Sequence, residues 1–269
     1  EYDPATGSTR VVGKLAESSQ YIIEGDDGGV YIGEAVKGYV ERYDPKTGTL
    51  ENFGIMDDPG PPYYRYAYTL GADGRYVYVG IGQMPWYLVI YDRHTREQKV
   101  YWKDVKASGV TVYRGTNGGW FTQAPGGQWV RLENGELWPL PQGQKPDVVP
   151  YYLRGDVLSE VAQSEKVLGY QVDLGGAVPD TGTQGLITVR WRNKGEEDWE
   201  AASATVRMSP EVVHRIYPFS ATELLVFPWG YGPLVTFNTL TREVSVLGRT
   251  QRSLYDALWA DGTWFLAGY

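Results

Sequence analysis

Three stretches of the sequence share one short pattern. They are Glu1-Tyr-Asp-Pro-Ala-Thr-Gly7, Glu41-Arg-Tyr-Asp-Pro-Lys-Thr-Gly48 and Val89-Ile-Tyr-Asp-Arg-His-Thr-Arg96. Each reads apolar–Tyr–Asp–x–x–Thr–(Gly/Arg) and is followed by a second alternating run. Asp with Thr three residues on favours a turn in which the side chain binds nearby backbone, and Gly supplies a positive φ. The pattern is therefore strand, turn, strand. More degenerate copies are Val130-Arg-Leu-Glu-Asn-Gly135, Val189-Arg-Trp-Arg-Asn-Lys-Gly195 and Val235-Thr-Phe-Asn-Thr-Leu-Thr241.

Anchored at their Asp-equivalents, Asp3, Asp44, Asp92, Glu133, Arg192 and Asn238, the copies are 41, 48, 41, 59 and 46 residues apart by subtraction. A period of about 40–45 residues with four short strands is the signature of a propeller blade. A second motif precedes the turns: Gly25-Asp-Asp-Gly-Gly-Val-Tyr-Ile-Gly33, Gly71-Ala-Asp-Gly-Arg-Tyr-Val-Tyr-Val-Gly80 and Ala260-Asp-Gly-Thr-Trp-Phe-Leu-Ala-Gly268. Each reads Asp-Gly turn, apolar strand, small residue, a strong hairpin signal. Asn117-Gly-Gly-Trp-Phe-Thr122 and Ser220-Ala-Thr-Glu-Leu-Leu-Val-Phe227 are weaker variants.

The expected fold is all-β, a single β-propeller domain over residues 1–269 built of four-stranded antiparallel blades. Complete blades are read at 18–55, 64–103, 108–140, 148–206 and 211–250. A sixth combines 1–13 with 253–269, so that strands from the two ends meet and no sheet edge is left open. Residues 155–162 could make a turn of helix, but a strand fits the repeat better. From the small residue to the turn Asp takes 11 residues in one blade and 12 in the next, Gly33 to Asp44 and Gly80 to Asp92, whereas only Tyr269, Glu1 and Tyr2 separate Gly268 from Asp3. A missing B–C loop, or a truncated chain with a seventh blade, is the expectation that spacing gives.

Composition narrows the chemistry. With no Cys there is no disulfide and no thiolate site, and two histidines, His94 and His214, exclude a multi-His zinc centre. A net charge of −8 without a basic run argues against nucleic acid, and no apolar stretch approaches a membrane span. The 22 Tyr and 10 Trp against 6 Phe suit half-buried strands, and equally suit stacking surfaces for sugars.

In a propeller the B–C loops and the starts of the A strands open on one face, around a channel that is the default ligand site. Asp3, Asp44, Asp92 and His94 fall in turns on the other face. The channel side carries Glu34, Lys37, Gln83, Trp86, Trp229, Tyr231 and Arg252 as candidate ligand-binding residues. Arg65 lies in Pro62-Tyr-Tyr-Arg-Tyr-Ala-Tyr68, where a guanidinium among tyrosines is suited to grip a carboxylate bidentately, or to pair with Asp57 or Asp58. His214 alternates with Ile216 in Val212-Val-His-Arg-Ile-Tyr217 and is placed either to act as a base near neutral pH or to hydrogen-bond a neighbouring blade. Tyr66 is the second candidate base. No nucleophile elbow, P-loop or dinucleotide fingerprint is present. No cofactor or resident metal is predicted; Glu34, Asp173 and Asp180 leave room for a calcium ion in the channel, without a contiguous calcium loop.

The stretches Tyr63-Tyr-Arg-Tyr-Ala-Tyr-Thr-Leu70 and Tyr76-Val-Tyr-Val-Gly-Ile-Gly-Gln-Met-Pro-Trp-Tyr-Leu-Val-Ile-Tyr-Asp-Arg-His-Thr-Arg-Glu97, with Gly33-Glu-Ala35 and the Tyr-Asp-Pro-x-Thr-Gly turns, resemble secreted bacterial propellers acting on acidic polysaccharides, of the rhamnose–glucuronate lyase type. The resemblance covers about two blades. It implies an extracellular or periplasmic setting, an acidic glycan or oligosaccharide as partner, a His or Tyr base, and arginines on a uronate carboxylate. Blades 18–55 and 64–103 depart from it in carrying no histidine on the channel face.

Two functional classes follow. One is a carbohydrate-active propeller, a polysaccharide lyase performing β-elimination, with Arg65 on the carboxylate, His214 or Tyr66 as base, and Trp86 with Trp229 as sugar platforms. The other is a non-catalytic binding or structural module of an extracellular assembly, with self-assembly or a missing chain segment completing it.

Overall fold

The computed structural model describes residues 2–3, 8–58, 65–82, 85–103, 105, 110–148, 161–163, 166–173, 184–193, 197–198, 200–207, 213–218, 222–228, 233–249, 254–260 and 263–268. Among them the regular structure is all β. The chain divides into two compact units, Glu1–Val149 with Asp256–Tyr269, and Pro150–Tyr255.

In the first unit, β1 (Tyr2–Asp3) and β2 (Ser8–Thr9) precede three meanders. These are β3 (Ser19–Glu24), β4 (Val30–Glu34), β5 (Tyr39–Asp44) and β6 (Thr49–Ile55); β7 (Tyr66–Ala72), β8 (Tyr76–Gly82), β9 (Tyr87–Asp92) and β10 (Gln98–Tyr101); and β11 (Tyr113–Arg114), β12 (Trp120–Gln123), β13 (Trp129–Glu133) and β14 (Glu136–Pro139). The second unit holds β15 (Val161–Gln163), β16 (Lys166–Asp173), β17 (Gln184–Asn193) and β18 (Glu200–Arg207), then β19 (Val213–Pro218), β20 (Glu223–Pro228), β21 (Pro233–Asn238) and β22 (Val244–Arg249). β23 (Leu254–Ala260) and β24 (Thr263–Gly268) follow and join the sheet β2-β1-β24-β23, where Tyr2 pairs with Trp264. Every sheet is four-stranded and antiparallel, each strand beside its sequence neighbour except where β1 meets β24. This is the propeller-type blade of the repeat.

The six anchor residues end the third strand of their sheets, at Asp3, Asp44, Asp92, Glu133, Asn193 (one residue past Arg192) and Asn238. Burial is graded across the sheet β7–β10. In β7–β10, β8 and β9 are buried on nearly every residue, whereas β10 is exposed at Gln98, Lys99 and Val100. A strand covered on both faces reads as a continuous apolar run, and Tyr76-Val-Tyr-Val-Gly-Ile is one.

Sheets of the first unit are fastened edge to face. The Trp120 indole and the Asp26 amide both donate to the Ala72 carbonyl, at 3.1 and 3.0 Å, and the Val112 amide donates to Thr69 Oγ1 at 2.9 Å. Three first strands carry a one-residue register shift near their start, at Gln20, Tyr68 and His214. Bulges there re-aim one side chain without ending the strand.

Candidate functional site

The loop between β4 and β5, residues 35–38, makes a sharp reversal with Val36 and Gly38 both at positive φ, 70° and 75°. It is fixed to the first residues of the next sheet. The Arg65 amide donates to the Val36 carbonyl at 2.9 Å, Lys37 and Arg65 form a parallel bridge, and the Met56 amide donates to the Gly38 carbonyl at 3.1 Å. The three connections bring the end of β4, the end of β6 and the start of β7 to one rim.

Arg65 is the centre of that rim. Its Nη1 donates to both the carbonyl and the carboxylate of Asp57, each at 2.9 Å, and to the Tyr87 hydroxyl. Lys103 Nζ lies 2.5 Å from the same Asp57 Oδ2. Both cations also face the Tyr87 ring, Arg65 at 5.4 Å and Lys103 at 5.6 Å from its centroid. Burial pulls the Asp57 carboxyl up, but bonds from Lys103, Tyr87 and Arg65 outweigh it and hold the group below its ordinary value. Burial and then the Asp57 charge push the Tyr87 hydroxyl well above its ordinary value. A phenol so placed stays protonated near neutral pH and is not available as a phenolate base.

Two carboxyls lie behind this rim. Glu34, the last residue of β4, is fully buried, and Glu41 on β5 is 2% exposed. Ile32 is the register partner of Glu41, so the two acids are diagonal neighbours on one sheet face. Glu34 Oε2 accepts from the Glu17 amide and Glu41 Oε1 from the Asn52 side chain, leaving Glu34 Oε1 and Glu41 Oε2 without another donor. Burial, then the charge of Glu41, pushes Glu34 up to about 8; burial raises Glu41 as well. Two buried like charges on one sheet face disfavour double ionisation, so the pair favours keeping a proton.

The remaining candidates distribute as follows. Lys37 is partly exposed and pairs with Glu17 at 3.0 Å. Tyr66 opens β7, half-buried, with its backbone opposite Gly82. Trp86 is half-buried with Tyr68 edge-on to it at 5.7 Å, packed against the core cluster of β7–β9. His214 occupies the register shift of β19, in the other compact unit from Arg65. Gln83, Trp229, Tyr231, Arg252 and Asp180 lie outside the described residues. His94 is exposed, its amide donating to Asp92. Among the described residues no group of three or more His, Asp or Glu is placed to hold a metal, and no helix is long and apolar enough to cross a membrane.

Glu41, Tyr87 and Lys103 are not among the candidates the sequence singles out. A signal for Glu41 exists. Three residues before the anchor, the other copies carry Val89, Val130, Val189 and Val235, and one position past the small residue Glu34 stands where the next copy has Ile81. The acids replace apolar residues at two positions of a single copy.

No family model matches the chain, and no curated protein matches it. Solved structures similar to it include YCF48 bound to D1 peptide, at 10% identity over 97% of this chain and 96% of that one, with a TM-score of 0.48. A protein described as an oxidoreductase (glucose dehydrogenase), from Thermus thermophilus, is 15% identical over 96% of this chain and 92% of that one, with a TM-score of 0.46. The C-terminal WD40 domain of Sif2 is 11% identical over 93% and 80%, with a TM-score of 0.42.

Proposed function

We propose that the chain is a ligand-binding propeller module whose ligand carries a carboxylate, the acidic saccharides being the class that best suits an aromatic-rich rim. The observation that carries this reading is the convergence of two cations, Arg65 and Lys103, on the single carboxylate of Asp57. The Asp57 carboxylate is shared between two half-buried cations, and an incoming carboxylate can share Arg65 and Lys103 with it. Tyr87 adds a neutral hydroxyl whose oxygen accepts from Arg65 and helps fix the guanidinium. Charge-assisted bonds of this kind are the strong ones in carbohydrate and carboxylate recognition.

The β-elimination reading needs the same guanidinium together with a base. The hydroxyl that Arg65 contacts, Tyr87, is the one whose ionisation burial opposes, so the rim supports binding over proton abstraction. Calorimetry with a glucuronate-containing oligosaccharide and its neutral, carboxyl-reduced counterpart tests this, with ultraviolet absorbance of an unsaturated uronate followed in the same mixture. Preference for the acidic form, about tenfold weaker binding in Lys103→Ala, and no unsaturated product are expected. Equal binding of both saccharides, or of neither, overturns the reading; product formation replaces it with the lyase.

A further inference from the structure

The segment Ala16–Ser18 crosses from the terminal sheet into β3 and lies over the buried acids. Polar contacts tie it to the rest of the fold. The Glu17 amide donates to Glu34 Oε2, the Ser18 carbonyl accepts from the Ala35 amide at 2.7 Å, and the Glu17 side chain meets Lys37 at 3.0 Å. Immediately before it, residues 10–13 and 15 line an apolar cavity of about 260 Å³ with Ile22, Ile32, Tyr43 and Phe265. Whatever moves the strap therefore moves one wall of that cavity.

We infer that Ala16–Ser18 is an acid-locked latch: the closed strap traps one proton between Glu34 and Glu41, and opening the strap releases that proton to water. The geometry requires it to be coupled to the proton in this direction. With the strap closed, Glu34 Oε1 and Glu41 Oε2 are sealed from solvent and meet no other donor, so a second negative charge there stands against the first across a dry gap. With the strap open, both carboxyls are hydrated and ionise normally. The surrounding charges do not relieve the pair. On the strap, Glu17 is a further acid; on the loop, Lys37 is held by Glu17; on β6, Asn52 supplies a neutral amide and Glu51 pairs with Arg93 at 3.8 Å; on β7, Arg65 is engaged by Asp57; on β5, Arg42 pairs with Asp27 and Asp44. Glu24 sits at the opposite end of β3 from Ser19.

The sign follows from linkage. The closed form binds a proton that the open form does not, so opening becomes more favourable as pH rises from the ordinary carboxyl range, about 4.5, to about 8, and levels off beyond. Over that window the latch loosens in step with deprotonation and the cavity wall is freed. Nothing in this depends on what binds at the Arg65 rim.

Hydrogen exchange of the full chain, corrected for intrinsic rates, tests it. The opening constant of amides at 16–18 and of Ala35 is expected to rise at least about tenfold between pH 5 and 8 and then flatten, while Tyr76–Gly82 stays constant. In Glu34→Gln, whose amide donates permanently to Glu41, the strap is expected to be equally protected at both pH values. A wild-type strap that tracks Tyr76–Gly82, or a Glu34→Gln strap with the wild-type pH rise, overturns the latch. Should that variant not fold, infrared spectroscopy of the wild type decides: a protonated-carboxyl stretch present near pH 6 and lost above about pH 9 supports it, and no such band near pH 6 overturns it.

Discussion

At residue scale the turns after β5, β9 and β21 show how one side chain sets a local fold. Asp44 Oδ1 accepts from the amides of Lys46 and Thr47, Asp92 Oδ1 from His94 and Thr95, and Asn238 Oδ1 from Leu240 and Thr241. The backbone closes identically each time, Gly48, Arg96 and Arg242 donating to the carbonyl of the residue four before them at 2.8, 2.8 and 2.9 Å. That closing residue needs a left-handed backbone, with φ of 70° at Gly48, 62° at Arg96 and 63° at Arg242. An L side chain there costs roughly 1–2 kcal/mol, partly offset by the lower unfolded-state entropy of a non-glycine residue. Arg96→Gly and Arg242→Gly are each expected to stabilise the chain by about 0.5 kcal/mol. Urea midpoints that rise at constant slope bear this out; an unchanged or lower midpoint refutes it.

At the scale of elements, the small residue near the end of the second strand, Gly33 in β4 and Gly80 in β8, has a packing cause that the sequence could not display. A Cβ on Gly80 would meet Thr69 Oγ1 and stand 2.5 Å from the Val110 carbonyl; one on Gly33 would collide with the Ala67 carbonyl. The next sheet's backbone occupies that space and cannot retreat. Gly80→Ala is expected to cost about 3 kcal/mol through this collision. Gly48→Ala, with nothing within 4 Å, should lose only about 1 kcal/mol from its backbone conformation. Similar losses for the two in chemical denaturation would show that the sheets are not held that closely. Strands and turns were legible because each is local: alternation, Asp-Gly and Asp-x-x-Thr-Gly all act within a few residues. The rim was legible only in part. Arg65 was visible as a cation among tyrosines, and Asp57 as its candidate partner, because they lie eight residues apart. Lys103 and Tyr87 reach the same carboxylate from another stretch of the chain, and no local pattern announces that meeting. Glu41 was concealed by its turn motif, although Val at that position in sibling copies marks it as misplaced.

For the molecule as a whole, two sets of carboxyls act on stability in opposite directions with pH. Asp27 and Asp57 are buried enough to be pushed up, yet Gly29, Arg42 and Arg93 around the first, and Lys103, Tyr87 and Arg65 around the second, bring them below their ordinary value. Asp92, bound by Arg75, and Asp44 are lowered too. Folded groups with depressed values stabilise above about pH 3.8 and lose that contribution as acid protonates them. Glu34 and Glu41 are raised, so the folded state holds a proton that the unfolded state gives up; their contribution is complete below about pH 4.5 and declines until about 8. The two windows nearly abut, which places the stability maximum on the acid side of neutrality, near pH 4–5, for a chain whose net charge of −8 adds self-repulsion in the same direction as pH climbs. The two causes of the alkaline decline separate experimentally. Screening with salt restores what self-repulsion removes, since surface charges feel the ionic atmosphere and a sealed pair does not. Glu34→Gln removes only the sealed pair's share. Urea unfolding from pH 3 to 9 is expected to show wild-type stability falling by a few kcal/mol between about pH 5 and 8. Glu34→Gln should flatten that fall and added salt should reduce it only slightly. A wild-type plateau over that range, or a decline that salt abolishes and Glu34→Gln leaves intact, would mean that the acids behind the rim carry no trapped proton.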